Sequence, residues 1–178
     1  MSDFDQKSQK VENQYNADKI DIFINSPTPT ETELLEKGKN LLNVKSYAQA
    51  IKIFEQCLEI KSDTPETYYY LAIALLRGNR PKLINLSTIR AIENNLKTAI
   101  QLEPKLGGAY VLWASVKYDY YVLNGMYDRP PSYQDLLNKN WEINHAQTQE
   151  ILSLVNVEDN IVLQWLKNQS QVRHRKGI

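Results

Sequence analysis

The feature that most limits what this chain can fold into is a register of residues that returns after 34 positions. Leu34, Gly38 and Leu41 are followed at that interval by Tyr68, Ala72 and Leu75. A period of this length belongs to helical hairpins stacked side by side, because each unit has an apolar face that only a neighbour can cover. Such stacks usually offer a surface to another protein.

The totals leave room for that architecture and narrow the partners. A length of 178 residues suffices for one domain with a full core. Acidic and basic residues balance at 21 each, so no global field steers the chain onto nucleic acid or an anionic membrane. The single cysteine, Cys57, excludes an intramolecular disulfide and suits a reducing compartment. The opening MSDFDQKSQK lacks the apolar stretch of a signal peptide. The longest apolar run, Tyr68 to Leu76, falls far short of the ~20 residues that span a bilayer. The expectation is a cytoplasmic protein with no membrane contact.

Three regions are expected. Residues 1–29 form a flexible segment, within which 19–25 has the two-residue period of a strand: Ile20, Ile22 and Ile24 alternate with Asp21 and Phe23. One strand is not stable alone. It either stays disordered, packs on the body, or is completed by a partner or a second copy of the chain. Residues 30–123 carry the repeats, with an insertion near 78–86, and 124–178 form a helical cap with a basic tail.

Helix signals are frequent from Thr30 onward. Thr30 with Glu33, Ser46 with Gln49 and Ser132 with Asp135 read as capping boxes, and Thr64 precedes a proline at the first helical position. They predict helices over about 31–44, 47–61 and 65–77, then about 87–102 and 106–123. Between Ser132 and Val155 a helical stretch is broken near Ile143 to His145. A last helix covers about 159–168, where Ile161 pairs with Trp165 and Val162 with Leu166 at helical spacing.

Residue by residue, the pattern resembles the tetratricopeptide repeat family. The first unit supplies Leu34, Gly38, Leu41, Tyr47, Ala50, Phe54 and Cys57. The second supplies Tyr68, Leu71, Ala72, Leu75, Ile89, Ile92, Leu96, Ala99 and Pro104, and a third begins with Tyr110, Trp113 and Ala114. Small residues at Gly38, Ala50, Cys57, Ala72 and Ala99 let helices cross closely, and Tyr47 and Phe54 fill the wider gaps. There are departures. Second helices are 42 apart rather than 34 (Tyr47 to Ile89, Phe54 to Leu96), which implies eight inserted residues. Ser62 stands where a closing proline is expected, and Lys117 where a large apolar residue is expected. The resemblance implies an all-α, right-handed helical-hairpin solenoid, with two clear repeats and one degenerate.

It also implies a partner surface on the concave face made by the first helix of each unit. Those positions are Leu35, Lys39, Leu42 and Asn43, then Tyr69, Ile73, Leu76 and Arg77, then Val111, Ser115 and Tyr118. An apolar, aromatic groove of this kind suits a helix or an extended peptide, unless the amino-terminal strand or residues 132–178 fill it in cis. Family members that clamp a terminal carboxylate need convergent cations and amides. The matching positions here read Leu35 and Lys39, Tyr70 or Ile73, and Gly108 and Leu112, so that activity is not expected.

Two basic clusters stand apart from the groove. Arg77, Arg80 and Lys82 in the insertion either grip an acidic or phosphorylated partner or stay solvated near a helix end. The terminal Arg173, His174, Arg175 and Lys176 are too few, and too poor in aromatic neighbours, for a nucleic-acid site. Of the aromatic trio, Tyr68 is assigned to packing and Tyr69 to the groove, with Tyr70 left open.

No catalytic set is legible. His145 and His174 are far apart, one Cys with two His gives no metal-ligand spacing, and Gly107 with Gly108 reads as a turn rather than a phosphate loop. No metal or cofactor is expected. The sequence therefore points to a non-catalytic adaptor or scaffold that binds a partner protein or peptide segment, with oligomeric state open. The stretch VENQYNADKIDIFIN loosely resembles leading segments of bacterial multi-component defence and signalling proteins, which leans the expectation toward such an assembly. The alternatives are a self-assembling structural subunit and a regulatory subunit of a separate enzyme.

Overall fold

A computed structural model describes residues 29–139, 141–156 and 158–175, with side chains through Asn168. The expected strand at 19–25, with Ile20, Ile22 and Ile24, and the terminal Lys176 lie outside these residues, as do the side chains of Arg173, His174 and Arg175. Helices from Glu31 onward belong to one unit. Among the described residues all regular structure is helical, apart from an isolated bridge between Leu106 and Glu142.

The helices are α1 (Glu31–Asn43), α2 (Tyr47–Ile60), α3 (Pro65–Leu76), α4 (Leu86–Leu102), α5 (Gly107–Lys117), α6 (Tyr133–Leu137), α7 (His145–Leu154) and α8 (Ile161–Arg175). A 3₁₀ turn, Pro81–Leu83, lies in the insertion between α3 and α4, and a π turn, Tyr118–Val122, extends α5. From α1 to α6 each helix packs on the next.

Local chemistry explains most boundaries. Asn85 accepts from the Thr88 backbone N–H at 2.9 Å and starts α4. Ser132 and Asp135 form a complete capping box on α6, and Asn144 with Gln147 forms another on α7. Two expected caps work differently. Ser46 Oγ donates to the Gln49 side chain at 3.1 Å instead of accepting from the backbone, and Thr64 Oγ1 donates to Glu31 Oε1 at 2.9 Å, linking α3 back to α1. Arg77 ends α3 in the left-handed region with φ 51°, and Gly78 follows at φ 69°.

The packing of α1 on α2 depends on Gly38. A Cβ there would fall within 2.7 Å of Phe54 Cζ and against the rest of the ring. Phe54, Ala50 and Cys57 on α2, Ala72 on α3 and Ile89, Ile92, Leu96 and Ala99 on α4 are all fully buried. Cys57 Sγ lies 3.5 Å from the Thr67 hydroxyl, and burial pushes its thiol up from the ordinary range.

Helix α5 is the centre of the unit. Every residue from Gly107 to Lys117 is buried, the pattern of a helix apolar all round, and α4, α6, α7 and α8 all pack against it. Gly108 admits the Tyr69 ring, which a Cβ would meet at 3.2 Å, and Gly107 lies against the Glu142 carbonyl. These glycines are the first residues of α5, where close approach is needed, rather than a turn before it. The helical stretch reaches Val122, close to the expected end at Leu123, but its last turn is π rather than α. It widens at Tyr118, whose carbonyl accepts from the Leu123 N–H at 3.1 Å. Helix α8, expected to stop near Asn168, runs to Arg175.

Candidate functional site

Most positions of the expected groove are buried. Leu42, Tyr69, Ile73, Leu76, Val111 and Ser115 are each no more than 5 % exposed. They share one core with Ile151 of α7 and Val162, Leu163 and Leu166 of α8. Asn160, at the start of α8, donates to the Ser115 carbonyl at 2.9 Å while its own carbonyl accepts from Val162 and Leu163. The remaining groove positions do not form a surface together. Leu35 packs against the core, Lys39 pairs with Glu36 at 2.9 Å, and Tyr118 meets Tyr133 edge to face at 5.3 Å. Only Asn43 and Arg77, at helix ends, are exposed. Residues 132–178 supply part of the cover, through Glu150 against Tyr70 and Asn160 against Ser115. Tyr68 is partly buried and packs against the core, and Tyr70, left unassigned by the sequence, is buried with its hydroxyl on Glu150 of α7.

The insertion cations do not converge either. Arg80 is 8 % exposed. It donates to Asp119 Oδ1 at 2.6 Å and to Asp159 Oδ2 at 3.0 Å, and its guanidinium is pushed up further, chiefly by the Asp119 hydrogen bond. The second Asp119 oxygen accepts from the Lys82 backbone N–H at 3.0 Å. Arg80 thus binds the insertion to the π turn.

A different concave surface remains open. It is a cleft of about 590 Å³ between α4 and the π turn with its following loop. Its floor is a buried polar cluster. Lys117, 4 % exposed, lies 2.8 Å from Asp128 and 3.7 Å from Glu93, and donates to the Arg129 carbonyl at 3.0 Å. Glu93 also accepts from the Trp113 indole at 3.1 Å and from the Tyr121 hydroxyl at 2.9 Å. Burial, followed by the hydrogen bond to Glu93, pushes the Tyr121 hydroxyl up to about 12.

The walls carry a different set. Arg90 and Lys97 project from α4 and Arg129 from the loop; all three are exposed, and none makes an ion pair among the described residues. The rim is apolar. Three exposed large hydrophobic side chains line the cleft, Leu86, Met126 and Tyr127, and Leu83, Val122 and Leu123 are exposed on or beside the adjoining 3₁₀ and π turns. The 3₁₀ turn packs on the π turn, so these residues are neighbours across the insertion. Sequence reasoning missed this site. Its signal was Lys117, a cation where the repeat calls for an apolar residue.

Among the described residues no group of three or more His, Cys, Asp or Glu could hold a metal ion, and no helix is long and apolar enough to cross a membrane. No protein-family model and no curated protein matches the chain.

Proposed function

We propose that this chain is a non-catalytic interaction module, an adaptor with tetratricopeptide-like helical hairpins whose partner docks in the cleft between α4 and the π turn. The observation that carries this reading is the set of exposed apolar side chains, Leu86, Met126 and Tyr127, that line this open cleft. An exposed apolar cluster rimmed by polar groups marks an interaction site. The expected concave groove supports the reading less well, because most of its positions are buried. In this reading the carboxy-terminal helices act as a built-in cap and leave a preformed site elsewhere.

The test is site-specific photocrosslinking in native extract. A photoreactive residue at Met126 should trap a defined partner that one at Lys52 does not, and Leu86→Asp should abolish the product without changing the circular dichroism. Equal trapping at both positions would exclude the cleft. Self-trapping, with a dimer in sedimentation at micromolar concentration, would replace the adaptor reading by self-assembly.

A further inference from the structure

We propose that the cleft recognises an acidic peptide segment of another protein, with carboxylates against the wall cations and an apolar side chain on the rim. This deepens the interaction-module reading and rests on it.

The argument begins with charge. Arg90 and Lys97 are seven residues apart on α4, two helical turns, so they share a face about 10 Å apart along the axis. In an extended peptide, residues four positions apart share a face and span about 13 Å, a separation that the long Arg and Lys side chains can meet. Arg129 faces them from the loop. The cleft's own carboxylates offset only part of this charge. Glu93 is already engaged by Trp113, Tyr121 and Lys117, and Asp128 is held by Lys117 and accepts from the Tyr133 N–H at 2.8 Å. The floor sets two carboxylates, Glu93 and Asp128, against one buried cation, Lys117, and so carries one net negative charge, which the three wall cations outnumber; none of the three makes an ion pair among the described residues.

Apolar contact completes the site. Met126 and Tyr127 are 42 % and 77 % exposed and line the same cleft. An acidic segment with one large apolar residue would cover them while its carboxylates meet Arg90 and Lys97. Nucleic acid is the poorer fit, since it needs an extended basic track and this chain carries balanced charge. The volume of about 590 Å³ is that of a few residues, not a strand of nucleotides.

The experiment uses fluorescence anisotropy with the full chain. One probe is a labelled heptapeptide, Glu-Glu-Leu-Phe-Glu-Asp-Leu. The others are its counterpart with lysine at every acidic position and a nine-residue oligothymidylate. The acidic peptide should bind saturably, and Arg90→Glu/Lys97→Glu should weaken it about tenfold or more. Lys37→Glu/Lys52→Glu, which alters exposed lysines on α1 and α2, should leave it unchanged. No saturable binding, equal loss with both double variants, or tighter binding of the lysine peptide or oligothymidylate would overturn the proposal. If the Met126 crosslink to a partner persists while the acidic peptide fails to bind, this inference falls and the interaction-module reading stands.

Discussion

Tyr70 on α3 donates its phenolic hydrogen to Glu150 Oε1 on α7 at 2.8 Å, joining residues 80 positions apart. Tyr70 also stacks near Phe54, 6.1 Å between ring centroids, so one side chain couples the α1–α2 pair to the carboxy-terminal cap. Tyr70→Phe keeps the ring and removes the link. Glu150 is partly exposed and can turn to water, so the cost should be about 1 kcal/mol rather than that of a stranded charge. Hydrogen exchange should show α7 amides opening about fivefold more often while α2 is unchanged. Uniform acceleration would mean that the cap has no opening of its own.

Gly38→Ala tests the crossing of α1 and α2. Alanine favours helix over glycine by up to about 1 kcal/mol, but here its methyl enters the Phe54 ring. Overpacking costs about 1–3 kcal/mol, so the variant should be less stable by denaturant titration. Phe54→Leu in the same chain makes room and should recover part of the loss, a coupling expected only of residues in contact. Simple additivity of the two changes would refute the crossing.

The pair of Arg80 and Asp119 is a further case where partners decide the outcome. The Asp119 side chain is 1 % exposed. Arg80→Met would strand it and should cost about 3–5 kcal/mol. Arg80→Met/Asp119→Leu should be more stable than Arg80→Met alone, although the Lys82 N–H then loses its acceptor. Asp159 is 73 % exposed, so Asp159→Ala should cost under about 1 kcal/mol. Three urea midpoints decide the matter; equal effects of Arg80→Met and Asp159→Ala would place the contribution elsewhere.

These residues also show what the sequence could and could not reveal. Gly38, Ala50, Cys57, Ala72 and Ala99 were readable as close-packing sites because each recurs at a fixed interval, and all are buried. The helix starts at Pro65 and Ser132 follow from chemistry within three or four residues. Arg80 was not readable: it sits in a polar loop, and burial comes from a carboxylate 39 positions away. Burial of the concave face was legible only as one alternative, since α7 and α8 carry no repeat register and meet the hairpins through contacts such as Asn160 to Ser115. The cleft combines two cations on α4 with one on a loop, a grouping that no linear pattern announces.

Alkaline titration reads the floor of the cleft. Tyr121 has an ordinary value of 10.0 and is raised to about 12, first by burial and then by Glu93. A phenol held protonated in the folded chain stabilises it below the unfolded value, and that contribution is lost as pH climbs through the folded one. Stability should therefore fall between about pH 10 and 12. Tyr69 and Tyr70 are raised as well, both chiefly by burial, and act in the same direction. Tyr121→Phe should start lower at neutral pH, having lost the bond to Glu93, and decline less steeply above pH 10. Urea midpoints across this range provide the check. A variant profile parallel to that of the parent chain would mean that Tyr121 is as free to ionise folded as unfolded, contrary to a hydroxyl held against Glu93 at 2.9 Å.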